Sequence, residues 1–172
     1  MPDMVEEATK DLKAWVVKID RGHAPAFMQR MVNQALSSRS QILVMRSDMV
    51  FGLDHVRSAL FHAKMAIEGR HNSSDSLSME SLLYASGERQ LSSAVKKMSV
   101  DETTEEVVIA RLSGGDMEVD SSWRSLDDTP QDVSIDRLKR FGITQRELDT
   151  VSRMDPRDLV LERVAAVDII KK

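Results

Sequence analysis

Short β-branched and aliphatic runs alternate with helical patterns in the first part of the chain. Residues 15–19 read Trp-Val-Val-Lys-Ile and precede Asp20-Arg21-Gly22, which predicts a strand that ends in a turn. Apolar residues at helical spacing then predict a helix over residues 24–37. Residues 42–45 are apolar without interruption, which is typical of a strand buried on both faces.

The longest helical pattern lies between residues 53 and 67. Its apolar positions recur at three- and four-residue intervals and form a broad stripe, which predicts a helix in the centre of the core. Gly69 is expected to end this helix as a left-handed residue. Asp75 or a neighbouring serine is expected to cap the next helix, and Gly87 separates it from a helix over residues 91–98.

The remainder of the chain predicts one more strand and several short helices. Residues 107–110 form the third predicted strand, and residues 113–130 are predicted to be a surface loop because Gly, Ser and Asp dominate them. The expected N-caps of the helices that follow are Ser134, Thr144 and Asp155, with Thr144 in a capping box. Pro156 is expected at the first position of the last helix.

This order of elements predicts an α/β fold. The sheet is expected to be small, mixed or antiparallel, with three to four strands packed against about six to eight helices. The hydrophobic fraction of 41% and the charged fraction of 30% are ordinary for a globular protein. Residues 1–172 are expected to form a single domain, because the part after Pro130 is too small for a core of its own.

Composition and charge exclude several classes of function. The absence of cysteine excludes disulfides, thiol chemistry and thiolate metal sites. A net charge of −4 argues against a nucleic-acid binder held by bulk charge, so contact with RNA requires a local basic cluster. No apolar run approaches the ~20 residues that span a bilayer, and the first residues are acidic without an apolar segment. We therefore expect no membrane contact and a cytoplasmic location.

Candidate chemistry is sparse. The sequence contains no glycine-rich phosphate loop and no nucleophile elbow. His55 and His62 are seven residues apart, and we interpret them as two partly exposed helix histidines and not as a metal pair. The carboxylates of the 113–130 loop are interpreted as solvated. The sequence therefore predicts no catalytic residue, no metal, no cofactor, no small-molecule substrate and no enzyme activity.

One segment carries polar residues that a helix–turn–helix joint does not require. Residues 69–91 join a polar loop to the run Leu-Leu-Tyr-Ala-Ser-Gly-Glu-Arg-Gln at residues 82–90. This segment resembles the small regulatory subunit of the KEOPS complex, the Cgi121-type or PRPK-binding protein family. The resemblance extends over residues 13–170, with two departures: Ser73 is polar where the family tends to be apolar, and the 113–130 loop is long and acidic.

The resemblance implies a subunit without chemistry of its own. Such a subunit belongs to a complex that makes threonylcarbamoyl-adenosine in tRNA. The resemblance implies two partners: the atypical kinase subunit, through its N-terminal lobe, and tRNA, through its 3′ CCA end. The alternatives from other classes are an interaction module without RNA contact and a stand-alone enzyme that uses His71 or the acidic loop.

The resemblance also guides the choice of site residues. The predicted RNA-binding residues are Lys64, Arg70, Asn72, Arg89 and Gln90. Arginine donates two parallel hydrogen bonds to phosphate, and Asn or Gln can contact a base edge. The plain alternatives are a solvated Lys64 and, at residues 87–90, only a helix end followed by a helix start. Tyr84 is interpreted as a core tyrosine in preference to a base-stacking one.

The last helix supplies the predicted kinase-binding residues. These are Val160, Arg163, Val164 and Val167. They are expected to present an apolar patch with a charged rim to the kinase lobe. The alternative is an ordinary amphipathic helix whose apolar stripe packs on the protein's own core.

Overall fold

The computed structural model describes residues 3–127, 133–151 and 155–171. Within these ranges the chain forms eight α-helices and four strands, which confirms the predicted α/β fold. In chain order these are α1 (Met4–Ala8), β1 (Lys13–Lys18), α2 (Ala24–Ser38), β2 (Gln41–Arg46), α3 (Leu53–Glu68), α4 (Leu77–Ser86), α5 (Leu91–Met98), β3 (Glu106–Ser113), β4 (Arg124–Ser125), α6 (Ile135–Phe141), α7 (Gln145–Thr150) and α8 (Arg157–Ile170). No helix in these ranges is long and apolar enough to cross a membrane.

The four strands form one open antiparallel sheet in the order β2-β3-β1-β4. β3 is central, because its Ile109 is opposite Trp15 of β1 on one side and Val44 of β2 on the other. Six consecutive residues of β3 and four of β2 are buried, which confirms burial of β2 on both faces. The short strand β4 lies inside the segment 113–130, and it pairs with β1 at the sheet edge.

Hydrophobic clusters cover both faces of the sheet. Successive strand residues point to opposite faces, so Met45 joins the larger cluster with α3, α4 and α8, while Val44 joins the smaller cluster under α2. Leu60, Ala63 and Ala66 of α3 are fully buried, as the broad apolar stripe predicts. The larger cluster therefore places α3 and α4 in the middle of the helical layer.

The end of α3 differs from the prediction. Gly69 has a right-handed backbone (φ −79°), and Arg70 is the left-handed residue (φ 58°). The expectation of a left-handed Gly69 is therefore wrong. Gly69 therefore does not need glycine for its φ angle; an added Cβ would lie 2.8 Å from Cδ2 of the exposed His71 side chain and 3.2 Å from the Met65 carbonyl oxygen.

The caps of three helices agree with the local sequence. The hydroxyls of Ser76, Ser134 and Thr144 each accept a hydrogen bond from the first turn of α4, α6 and α7. The capping box of Thr144 and Glu147 is confirmed. The expectation for α8 is wrong by one residue: the helix begins at Arg157, so Pro156 and not Asp155 is its N-cap. The Asp155 carboxylate still accepts the Arg157 amide at 3.0 Å.

Gly87 requires both its positive φ angle and its lack of a side chain. Its φ is 68°, and an added Cβ would lie 3.2 Å from Cβ of Arg163 in α8. Gly87→Ala is expected to lower the free energy of unfolding by about 1–2 kcal/mol for the left-handed backbone, and further because Cβ would crowd Arg163; urea denaturation measures the loss. Gly22→Ala is the matched control, since Gly22 has a φ of 88° and open space around it. Equal losses in both variants would contradict a packing role for Gly87.

Candidate functional site

A buried carboxylate holds the polar loop before α4. Glu80 is 0% exposed. Its Oε2 accepts from the amides of Ser73 at 3.0 Å and Ser74 at 2.9 Å, and its Oε1 accepts from Nζ of Lys171 at 2.9 Å. A buried carboxylate is costly unless it is paired and hydrogen-bonded. Glu80 therefore joins the loop to the end of α8.

Tyr84 lies one turn further along α4 and is fully buried. Its hydroxyl donates to Asp168 of α8 and accepts from Nζ of Lys171 at 2.8 Å. The His62 ring stacks on the Tyr84 ring, with centroids 5.5 Å apart. His62 Nδ1 lies 2.9 Å from Asp168 Oδ2. The core interpretation of Tyr84 is confirmed, and burial together with the Asp168 hydrogen bond raises its pKa.

Arg70, Arg89 and Gln90 are exposed near the two ends of the 69–90 segment. The guanidinium groups of Arg70 and Arg89 form no ion pair or hydrogen bond with any side chain in the described ranges. Gln90 is the N-cap of α5, so the backbone follows the helix-end and helix-start alternative, with Gly87 closing α4. These three side chains are accessible to a partner.

The other two predicted RNA-binding residues contact their own chain. Lys64 Nζ donates to the Ala8 carbonyl at 2.6 Å and so ties α1 to α3. Asn72 Nδ2 donates to the Ser74 carbonyl at 2.9 Å and to Asp75 Oδ1 at 3.2 Å. Both side chains are half-buried. The structure therefore gives Lys64 and Asn72 roles in shaping the loop and its surroundings.

Lys97 fixes the turn between α4 and α5. Its Nζ donates to the carbonyls of Ser86 (2.6 Å) and Phe141 and to Glu88 Oε1 (3.2 Å). The ammonium also lies 3.8 Å from the centroid of the Phe141 ring. Burial lowers the pKa of Lys97. The turn that presents Arg89 is therefore braced against the C-terminal end of α6.

The valines predicted to bind a kinase face inward. Val160, Val164 and Val167 are each 0% exposed and belong to the larger core cluster. Their prediction as an exposed patch is wrong, because the apolar stripe of α8 packs on α3 and α4. Arg163 is half-buried, and its Nη2 lies 2.8 Å from Glu147 Oε1.

The opposite side of α8 is the exposed one. Ile169 is 86% exposed and Ile170 is 41% exposed. Asp168, beside them, contacts His62 of α3, whose ring packs edge-on against the ring of Phe61 at 5.6 Å between centroids. The Asp168–His62 contact therefore joins the C-terminal end of α8, which carries the exposed isoleucines, to the middle of α3.

His55 differs from the predicted partly exposed histidine. It is buried, its Nδ1 accepts from the Phe51 amide at 3.0 Å, and its Nε2 lies 2.7 Å from the Ala85 carbonyl. The ring is therefore the neutral tautomer protonated at Nε2. Desolvation is the main cause that lowers the pKa of His55 to about 4. In the described ranges no three His, Asp or Glu side chains are grouped as metal ligands.

Sequence reasoning missed the charged residues that organise this site. Glu80 is the one charged residue of α4, and the residues around it on all sides of the helix are apolar or small. This pattern indicates that its charge is buried. Its partner Lys171 is 91 positions away in the sequence, where no local pattern indicates it. Lys97 likewise contacts a residue far away in the sequence, Phe141, 44 positions later.

A family model described as kinase binding protein CGI-121 matches residues 23–167. The chain belongs to this family. The match confirms the Cgi121-type resemblance, and it includes all of α3, α4 and the 69–90 segment. Lys171 of this CGI-121 family member lies outside the matched range. The comparison with curated proteins finds no match.

Proposed function

We propose that the chain is a non-catalytic regulatory subunit of a KEOPS-type complex. It binds the atypical kinase subunit and helps recruit tRNA through the 3′ CCA end for threonylcarbamoyl-adenosine modification. The observation that carries the proposal is the match to the kinase-binding family over residues 23–167. The tRNA part rests on the resemblance of residues 69–91 and on two exposed, unpaired arginines in that segment.

The kinase-binding surface in this proposal is the exposed end of α8 with the adjoining part of α3. Ile169, Ile170 and Phe61 supply apolar area, and Asp168 and His62 supply polar groups. An apolar centre with a polar rim is the usual anatomy of a specific protein interface. In this proposal the kinase contacts these exposed residues and not the buried valines of α8.

Ile169→Glu is expected to weaken kinase binding at least tenfold, because a carboxylate would be desolvated in the contact. Calorimetric titration into the purified kinase subunit measures the affinity, and we expect a one-to-one complex of sub-micromolar Kd for the unmodified chain. Leu36→Glu is the control, since Leu36 is 75% exposed on α2, across the sheet from α8. Unchanged binding by folded Ile169→Glu would refute this surface.

Arg70→Ala and Arg89→Ala are each expected to weaken tRNA binding several-fold. Each replacement should also reduce the slope of log affinity against log salt by about 1, because an arginine that contacts phosphate releases about one counterion. Arg21→Ala is the control, as Arg21 is exposed in the turn after β1. For a tRNA that lacks its CCA end, we expect the two variants and the unmodified chain to have the same affinity.

The interaction module without RNA contact is the second candidate function. The contacts of Lys64 and Asn72 support it, because both side chains already have hydrogen-bond partners within their own chain. Equal tRNA retention by the unmodified chain, Arg70→Ala and Arg89→Ala would establish this candidate in place of the tRNA-recruiting one.

The enzyme alternative finds little support in the clefts of the protein. A cleft of about 480 Å³ lies beside the end of β2. Its Arg46 pairs with Asp48 at 2.8 Å, and Arg137 donates to the carbonyls of Ser47, Asp48 and Val50. Arg46 is therefore paired with a neighbouring carboxylate, and Arg137 holds the backbone that follows β2. Turnover of a small-molecule panel that is lost in His71→Ala would overturn the non-catalytic proposal.

A further inference from the structure

Three separate parts of the chain meet at the carboxylate of Glu80. The amides of Ser73 and Ser74 belong to the loop that follows Arg70, Glu80 belongs to α4, and Lys171 follows the last residue of α8. Lys171 also contacts Tyr84, whose hydroxyl donates to Asp168. The loop and the end of α8 are therefore connected through one buried group.

Lys171 is the cation that neutralises Glu80 in the described ranges. Its side chain is 6% exposed, and that of Glu80 is 0% exposed. Without Lys171, the carboxylate would keep two amide donors but would have no opposite charge within ion-pair distance in the described part of the chain. A buried charge without a counter-charge favours any rearrangement that admits water. For Glu80, this rearrangement is the loss of its hydrogen bonds to the amides of Ser73 and Ser74, which frees the loop.

The same helix end carries the exposed residues of the proposed kinase surface. Ile169 is two positions before Lys171, and Asp168 is three before it. A partner that holds Ile169 in place also restrains Lys171, and so favours the conformation in which Lys171 contacts Glu80. Because Glu80 holds the amides of Ser73 and Ser74, this restraint extends to the loop next to Arg70.

We propose that Lys171 and Glu80 are positioning residues for the loop of residues 70–76, and that they couple kinase binding at the end of α8 to tRNA binding at that loop. This inference rests on the proposed function. By linkage, the factor by which the kinase raises tRNA affinity equals the factor by which tRNA raises kinase affinity.

Hydrogen exchange of the Ser73 and Ser74 amides in the free protein tests the positioning role. Lys171→Met is expected to speed their exchange at least tenfold, and Lys171→Arg, which keeps the charge, to restore most of the protection. The Gly22 amide, which donates to the Glu102 carbonyl at 2.9 Å in a remote turn, is the internal control for general destabilisation. Unchanged exchange at Ser73 and Ser74, or equal acceleration at Gly22, would overturn the positioning role.

Titration of tRNA with and without the kinase subunit tests the coupling. The kinase is expected to raise the tRNA affinity of the unmodified chain about fivefold or more. This factor should fall to about one in Lys171→Met and return in Lys171→Arg. Glu80→Gln/Lys171→Met removes both charges and leaves no unpaired buried charge, so it serves as the test if Lys171→Met does not fold. It should also show no coupling. A factor near one in the unmodified chain, or an undiminished factor in Lys171→Met, would overturn the coupling.

The two experiments separate the inference from the proposed function. If the unmodified chain binds neither kinase nor tRNA, the proposed function fails and the coupling fails with it. The exchange measurement uses the free protein and no partner, so it decides the positioning role by itself.

Discussion

Lys171→Met is expected to lower the free energy of unfolding by about 3–5 kcal/mol, the usual cost of removing one partner of a buried ion pair. The reason is that Glu80 is fully buried, so water can solvate its charge in place of the lost ammonium only if the loop of residues 70–76 opens. Lys171 also donates to the Tyr84 hydroxyl, and that hydrogen bond disappears as well. Urea denaturation at pH 7 measures the loss.

Two comparisons make the Lys171 result interpretable. Lys10→Met removes a pair with Glu7 that is 62% and 61% exposed, and it should change stability by less than about 0.5 kcal/mol. Glu80→Gln/Lys171→Met should recover much of the loss, because removing both charges leaves none unpaired. A loss below about 1 kcal/mol in Lys171→Met would contradict the buried pair.

Stability is expected to fall by about 2 kcal/mol between pH 7.5 and pH 5 on account of His55. Its folded pKa is about 4 and its ordinary value is 6.5. Between these values the unfolded chain binds a proton that the folded chain does not, so stability decreases as the pH falls. The loss begins below pH 6.5, and below pH 4 it levels off at about 3 kcal/mol.

Urea denaturation at several pH values, with His55→Gln alongside, measures this contribution. Glutamine can also accept from the Phe51 amide and donate to the Ala85 carbonyl, and it does not titrate. The variant should therefore show a pH dependence smaller by about 2 kcal/mol over the same range. His23→Gln is the control, because His23 is exposed in a turn. Identical pH profiles for His55→Gln and the unmodified chain would refute the buried neutral histidine.

Much of the site remained beyond sequence reasoning for one physical reason. An apolar stripe such as that of α8 has the same spacing whether it packs on the protein's own core or on a partner. The sequence indicated that Val160 and Val164 face an apolar environment, and only the packing on α3 and α4 identified that environment as internal. His55 was likewise placed correctly on a helix and wrongly near solvent.

Local sequence was sufficient for the features that depend on neighbours within a turn or two: the α3 stripe, the buried β2, the caps of α4, α6 and α7, and the family resemblance. These features arise from local spacing, hydrogen bonding and hydrophobicity. The tertiary structure alone decided the strand order, the inward direction of the α8 valines and the pairing of Glu80 with Lys171. Such pairings join residues about ninety positions apart, and their energies depend on burial, which the order of residues does not encode locally.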